Sequence, residues 1–452
     1  MHFGTALRKP QASRGGAHGE GGSRMRGISR RQFTGGLGGV ALSTSVMSNF
    51  PRPAIAQSSP QVVVIGGGAG GATVAHLFKR RNPSSQVRLI EVQRQYTTCF
   101  FSNLYVGGFR SFESITHSYD ALKALGVDVV HDRATDVDTS RRIVTLSSGA
   151  TTPYDKLVLS PGIDLKYQAI EGYTPQVAQY MPHAWQAGIQ TQILRQQLES
   201  VPIGGVVVMA IPNNPYRCPP GPYERISMIA HYLQTNKWRC KIVVLDAKKQ
   251  FSKQPVFQDN WDRLYKGMIE LHLTDELDDY AATRVDPSTM TVEAKNGFKV
   301  QGHLVNIIPP QRAGEIAHRA GCAEGDWCPV DPEDFSSKKA PNVFVLGDSS
   351  SAAEMPKSAF SANSQAKVVV NALEAALLGK PKFPPRYRNV CWSMISEDNS
   401  AKIGANYRPA NGKLVPSDGF VSSPDDKMAT RMITYEESVG WYSSITSDIF
   451  GT

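Results

Sequence analysis

The fold is decided between residues 61 and 91. The run Gln61-Val-Val-Val-Ile65 meets Gly66-Gly-Gly68-Ala-Gly-Gly71, continues as Ala72-Thr-Val-Ala-His-Leu-Phe-Lys79, and after a turn reaches Val87-Arg-Leu-Ile90-Glu91. The apolar runs predict strands buried on both faces of a parallel sheet, and the segment after the glycines has a helical pattern. Gly66 makes the tight turn, Gly68 lets the backbone approach a pyrophosphate, and Gly71 permits close helix–strand packing. The helix N-terminus favours phosphate charge, and Glu91 stands where a ribose hydroxyl needs an acceptor. A lone G-x-G-x-x-G is a common turn. With a strand on each side and an acid at this spacing, it reads as a dinucleotide-binding unit.

Working outward, short strands are predicted at 127–130, 142–146 and 156–159, the last running into Ser160-Pro161-Gly162. Far downstream, Pro341-Asn-Val-Phe-Val-Leu346 ends in Gly347-Asp348. Alone this is an ordinary turn. Placed after the first fingerprint, it resembles the second FAD motif of glutathione-reductase-like flavoproteins, whose aspartate binds the ribityl chain. One FAD domain built from both flanks is therefore expected, with a second domain inserted. The insert has its own strand (205–211), helix (222–234) and strand (241–246), but its turn is Pro212-Asn-Asn-Pro-Tyr-Arg-Cys218-Pro-Pro-Gly221. Prolines lack the N–H groups that cradle a pyrophosphate, so the nicotinamide site reads as lost and the electron donor as something other than NADH.

The expected architecture is α/β: two dinucleotide-binding, Rossmann-like domains of the glutathione-reductase type plus a small C-terminal domain. The boundaries are a leader in 1–56, the first FAD part in 57–165, the insert in 166–294, the second FAD part in 295–384, and the C-terminal domain in 385–452.

The net charge of +9 does not imply a nucleic-acid partner, because +7 of it lies in residues 1–56 and only +2 in the rest. Those first residues read as a twin-arginine export signal. Ser29-Arg30-Arg31-Gln32-Phe33 precedes a mild apolar stretch and then Ala54-Ile55-Ala56, a cleavage pattern that predicts a periplasmic protein. Met25 offers an alternative start to Met1. No later run is apolar enough to cross a bilayer, so no stable membrane insertion is expected. The six cysteines form no C-x-x-C-H, so any c-type haem belongs to a partner. The ten histidines show no ligand spacing, and no metal site is expected.

Several stretches together resemble the flavoprotein subunit of flavocytochrome c sulfide dehydrogenase, a relative of the sulfide:quinone oxidoreductases. They are Tyr96-Thr-Thr-Cys99-Phe-Phe-Ser-Asn103, Arg217-Cys218-Pro-Pro-Gly-Pro-Tyr-Glu224-Arg225, Gly325-Asp-Trp-Cys328, Met355-Pro-Lys357-Ser-Ala-Phe-Ser-Ala-Asn363, Cys391-Trp-Ser and the tail around Trp441. The resemblance implies that Cys99 is bonded covalently to the flavin of FAD and that Cys218 and Cys391 form a redox disulfide open to attack by sulfide. It implies that Trp441 lies between flavin and haem, and that the partner is a c-type cytochrome. Glu224 is a candidate proton acceptor. Lys357 is expected to open a helix aimed at the flavin, where positive charge stabilises a reduced ring. Each residue also has a plainer reading as a buried thiol, a helix-end acid, a solvated lysine or an anchoring tryptophan. Cys240, Cys322 and Cys328 read as structural, with a local Cys322–Cys328 disulfide left open.

The implied reaction is oxidation of hydrogen sulfide to zero-valent sulfur, with electrons passing through FAD to the cytochrome. Two alternatives stand beside it: a sulfide:quinone oxidoreductase, and a flavoprotein helper that reactivates sulfur-carrier proteins. The tail, 418–452, mixes charges without a long apolar face and reads against a membrane-bound quinone enzyme.

Overall fold

The computed structural model describes residues 59–273, 276 and 278–451, so the leader lies outside the described residues. Strand Gln61–Ile65 occupies the middle of a five-stranded sheet, with Gln86–Ile90 on one side and Lys156–Leu159 on the other. Asp128–Val130 and Val343–Val345 form the edges, and every pairing is parallel. Val62, Val63 and Val64 are fully buried, as a strand covered on both faces requires. The edge strand Val343–Val345 comes from beyond the insert, so this domain is built from both flanks. Its helix Gly71–Arg81 packs against the long helix Ala359–Leu378.

The insert has a parallel sheet in the order Ile269–His272, Lys241–Asp246, Val206–Ile211, Leu304–Ile307. The last strand moves a boundary. Residues 304–307 pair with Val207–Ala210, and the hairpin strand Lys299–Gln301 pairs with Thr291–Ala294, so the insert runs past 294. The cause is burial: Leu304, Val305, Asn306 and Ile307 are fully buried, and the insert's own sheet covers them. The chain enters and leaves the insert through an antiparallel pair, Ile163–Leu165 with Gln311–Ala313.

The C-terminal domain is a three-stranded antiparallel sheet, Tyr387–Ser396, Asn399–Ala410 and Lys413–Val421, followed by helix Met428–Phe450. The second hairpin turns on Asn411-Gly412, both at positive φ (52° and 72°), the conformation that matches strand twist in a two-residue turn. This sheet seals both dinucleotide domains. Tyr387 and Tyr407 join the core of the first, while Ile395 and Ala401 join that of the insert.

Candidate active site

The glycine turn leaves no room for a side chain at Gly66 or Gly71. A Cβ on Gly66, which has φ +100°, would lie 2.2 Å from the Ser160 carbonyl oxygen, and one on Gly71 would lie 2.0 Å from that of Gly66. Gly68 faces the Tyr96 ring, where a Cβ would come within 3.1 Å of the hydroxyl. Glu91 reaches back to the turn: Oε2 accepts from Gly67 N–H at 2.6 Å and Oε1 from Gln93 N–H at 2.8 Å. Each carboxylate oxygen keeps a lone pair for another donor. At the start of helix Gly71–Arg81, Ala72 N–H is bonded to the Gly68 carbonyl and Val74 N–H to that of Gly70, both at 3.0 Å, and the positive end of the helix dipole makes this end suited to phosphate.

Asp348 sits in a short 3-10 turn, Gly347–Ser349, directly after the edge strand. Gly347, at φ 72°, donates its N–H to Gln365 Oε1 at 2.8 Å. Asp348 Oδ2 lies 3.8 Å from Arg217 Nη1, and burial raises its pKa against the opposing pull of Arg217 and Lys357. Around this pair three buried polar atoms have no partner among the described residues: Asp348 Oδ1, Arg217 Nη2 and Gln311 Nε2. Native proteins rarely leave such groups unpaired. A polyhydroxyl chain supplies both donors and acceptors here, so the glycine cradle and these orphaned atoms fit FAD.

The reactive end is a cavity whose walls come from all three domains. Cys99, Cys218, Glu224, Cys391 and Trp441 all line it. Cys99 precedes the short helix Ser102–Gly107; its thiol is pushed up by burial and drawn back by Arg217. Cys218 is held at φ 91°, a conformation that costs a non-glycine residue about 1–3 kcal/mol and collects at functional sites. Burial pushes its thiol well up, and Cys391 and Glu224 push it further. Cys391 lies on strand Tyr387–Ser396. Burial raises its thiol too, while the Asn389 amide and the charge of Lys253 pull the other way. All six cysteines are unbonded in the structure, Cys218, Cys391, Cys322 and Cys328 included.

Glu224 stands in the first turn of helix Gly221–Asn236. Its Oε2 accepts from Asn103 Nδ2 at 2.8 Å and its Oε1 from Met394 N–H at 2.9 Å, which ties three elements together. Burial raises its pKa despite these bonds, so it holds a proton more readily than an ordinary glutamate.

Lys357 does not line this cavity. Its Nζ donates to the Asp348 and Ser350 carbonyls at 2.8 and 2.7 Å and lies 3.6 Å from the centre of the Trp327 ring. These acceptors, two residues apart on the Asp348 turn, draw the ammonium inward, and burial brings its pKa down to about 8. The N-terminus of the following helix lines the cavity instead, through Ser358, Ala359 and Phe360. Ser358 caps it by accepting from Ser361 N–H at 3.0 Å. Trp441, on the tail helix, stacks with Phe360 and lies 5.2 Å from Trp392 and 5.6 Å from Phe100, ring centre to ring centre.

Sequence reasoning passed over Arg217, Gln311, Asn103 and Lys253. Arg217 and Asn103 sit inside the stretches that carried the resemblance, one beside Cys218 and the other four residues after Cys99. Gln311 and Lys253 have no local signal, because their partners are distant in the chain. In the insert, Asp246, at the strand end where a nucleotide ribose would be bound, is fully buried. It is bonded to Lys248 Nζ at 2.5 Å and to the Tyr223 hydroxyl at 2.7 Å.

Two dinucleotide-type domains with a glycine cradle, a Gly-Asp turn and a cysteine-lined cavity define a flavoprotein of the disulfide-oxidoreductase class. Comparison with known proteins narrows this. Residues 60–208 match the pyridine nucleotide-disulphide oxidoreductase family. Residues 191–309 match the central part of the sulfide dehydrogenase (flavocytochrome c) flavoprotein chain, and residues 383–450 match the flavocytochrome c sulphide dehydrogenase flavin-binding family. The chain thus carries the central and flavin-binding domains of the flavocytochrome c sulfide dehydrogenase flavoprotein. It is 46% identical over 43 residues to that flavoprotein chain from Chlorobaculum thiosulfatiphilum, covering 10% of this chain and 90% of that sequence. It is also similar to mouse mitochondrial sulfide:quinone oxidoreductase, at 23% identity over 316 residues, 65% of this chain and 66% of the mouse protein. The chain thus spans about two thirds of the mouse protein's length. The solved sulfide:quinone oxidoreductase of Aquifex aeolicus superposes with a TM-score of 0.67 at 19% identity, over 87% of this chain and 93% of that one.

Proposed function

We propose that this chain oxidises hydrogen sulfide to zero-valent sulfur, with Cys218 and Cys391 as the redox pair and FAD as the electron acceptor. The observation that carries this reading is the shared cavity: Cys99, Cys218 and Cys391, remote in sequence, meet there beside Glu224. Hydrosulfide opens a disulfide by attack on one sulfur, giving a persulfide and a thiolate. Glu224, with its raised pKa and its place on the same wall, takes the proton lost from hydrogen sulfide. FAD, when bound, supplies a two-electron acceptor. The Gly66–Gly71 turn and Glu91 would hold its dinucleotide end, Asp348 and Gln311 the ribityl chain, and Cys99 the flavin itself through a covalent bond. The helix N-terminus at Ala359 favours negative charge at the cavity wall. Against a nicotinamide donor stand the proline-rich turn 212–221 and the internal pairing of Asp246.

In this reading electrons leave along Trp441, whose ring joins Phe100 at the cavity to Trp392, and pass to a separate c-type cytochrome. That acceptor is supported by the relative named as a flavocytochrome c chain and by the absence of C-x-x-C-H from this sequence. The twin-arginine pattern and the cleavage pattern near Ala56 support a periplasmic site for the reaction.

A quinone acceptor is the second reading, favoured by one observation. Met428, Met432 and Ile433 are exposed on the tail helix, and Phe420 and Val421 are exposed on the last strand. The tail therefore carries more apolar surface than its sequence indicated, although no described helix is long and apolar enough to cross a membrane. The deciding experiment is the visible spectrum of the purified protein. Sulfide should bleach the flavin band without NADH, and Cys218→Ser or Cys391→Ser should each prevent it with FAD retained. Reoxidation by cytochrome c and not by a soluble quinone supports the first acceptor. The reverse supports the second.

A further inference from the structure

Lys253 is a cation without a local sequence signal, and the fold buries almost all of it. It stands just before helix Gln254–Leu264, in the left-handed conformation at φ 62°, and is only 4% exposed. Its Nζ donates to the Ser393 hydroxyl at 2.7 Å and to the Cys391 and Ala401 carbonyls at 3.2 Å each. All three acceptors are neutral. The Phe257 ring, 5.6 Å away, is the remaining close group. The ionisable groups within electrostatic reach are Cys391 on its own strand, Glu224 on helix Gly221–Asn236, and Cys218 in the turn before that helix. Glu224 has both oxygens committed to Asn103 and Met394 and is itself pushed toward the protonated form. The ammonium's direct partners are thus all neutral, and Glu224, the carboxylate within reach, spends both oxygens on other donors, which is costly unless a closer anion arises there.

We propose that Lys253 is a positioning residue whose charge is matched by the thiolate of Cys391, and that this sets the polarity of the redox pair. The proposal rests on the reading of Cys218 and Cys391 as that pair. Hydrosulfide attacks Sγ of Cys218 in the Cys218–Cys391 disulfide. A sulfur–sulfur bond forms at Cys218, the bond between the cysteines breaks, and its electron pair leaves on Cys391 Sγ. The entering sulfur is oxidised by two electrons to the sulfane level, the disulfide is reduced by the same two, and Glu224 holds the proton released from hydrogen sulfide. A better-stabilised thiolate is the better leaving group. Three groups favour the anion on Cys391: the Asn389 amide, with Nδ2 at 3.5 Å from the sulfur, the Lys253 ammonium and Ser358. Cys218 has Arg217 as its strongest cation, with Arg225 and Lys253 also in reach, against Cys391, Glu224 and Cys99, and burial keeps its thiol well raised. Burial brings the Lys253 pKa down to about 8, so the charge is present at neutral pH and fades as the pH rises above that value.

The test has two parts, both on the full flavin-loaded chain. In wild-type protein given one equivalent of sulfide and quenched with an alkylating agent, peptide mass mapping should find the extra sulfur on the Cys218 peptide. Finding it on the Cys391 peptide overturns the proposal, and finding it on neither removes the redox-pair reading beneath it. In the reduced protein, alkylation of Cys391 is followed against pH in Lys253→Met and Lys253→Arg. A loss of one pKa unit of stabilisation makes Cys391 alkylation in the Met variant about tenfold slower near neutral pH, with the Arg variant close to wild type. A Met variant that keeps its flavin and unfolding temperature and alkylates at the wild-type rate reduces Lys253 to a strut. If the Met variant does not fold, the wild-type persulfide map still decides.

Discussion

Replacing Glu224 with Gln removes the proposed proton acceptor while keeping the side chain's size. The structure sets the cost. Both carboxylate oxygens accept a hydrogen bond, from Met394 N–H at 2.9 Å and Asn103 Nδ2 at 2.8 Å. An amide has a single acceptor oxygen, so one of these donors must face an NH2 group. Asn103 cannot turn over to offer its own oxygen, because that oxygen already accepts from Arg225 Nε at 3.0 Å. The orphaned donor costs about 1–3 kcal/mol. An opposing effect comes from burial, which raises the Glu224 pKa. A raised folded-state pKa gives stability that is complete below the ordinary carboxylate value and is lost as the pH rises through the folded-state value. Glutamine never ionises and is spared that loss. Thermal unfolding across pH should therefore show the difference moving in the variant's favour through this window and then levelling off. Sulfide-driven bleaching, followed by stopped flow, should slow by about 10²–10⁴-fold, the range for removal of a general base. Bleaching at the wild-type rate ends the proton-acceptor role, and a difference that moves against the variant with rising pH overturns the ionisation argument.

Cys99→Ala should leave a flavin that binds in the Gly66–Gly71 cradle yet separates from the polypeptide on acid precipitation; an unmodified Cys99 peptide from flavin-loaded wild type contradicts covalent attachment. NADH and NADPH should fail to bleach the flavin where sulfide succeeds, and rapid reduction by either would mean that the turn 212–221 accepts a nucleotide after all. Because the redox pair acts as one unit, the Cys218→Ser, Cys391→Ser double variant should be hardly worse than either single one in sulfide-driven bleaching; clearly additive losses argue for independent roles. Trp441→Ala should slow haem reduction in added cytochrome c more than flavin reduction by sulfide, and equal effects on both would make the ring a packing element.

The parts of the fold that lie in continuous runs were legible. Gln61–Ile65 and Lys156–Leu159 form strands with the expected limits, since a wholly buried strand announces itself by composition. The insert's far boundary was misread because the strand at Leu304–Ile307 is short and belongs to a sheet begun about a hundred residues earlier, a pairing no local pattern reports. At the site, Cys99, Cys218, Glu224, Cys391 and Trp441 converge on one cavity, although they lie far apart in the chain. Lys357 was read by its charge and its position before a helix, but the two carbonyls that turn it toward Asp348 are a tertiary fact. The apolar side of the tail was missed for a related reason. Met428, Met432 and Ile433 are spaced as one helical stripe, yet only the packing of the opposite side shows that this stripe is left outside.

The strand that carries Cys391 also supplies the amide that fixes Glu224, and it is made late. A growing chain that has reached residue 380 already holds the glycine cradle, the Gly-Asp turn and both parallel sheets. It has only one member of the thiol pair and still lacks residues 383–450, the part that matches the flavin-binding family. Synthesis order thus holds reactivity back: until that strand is made, the chain has no second sulfur through which the pair could exchange electrons. Redox competence arrives only when the C-terminal sheet closes over the cavity, at nearly the moment when a folded protein is ready to leave the ribosome.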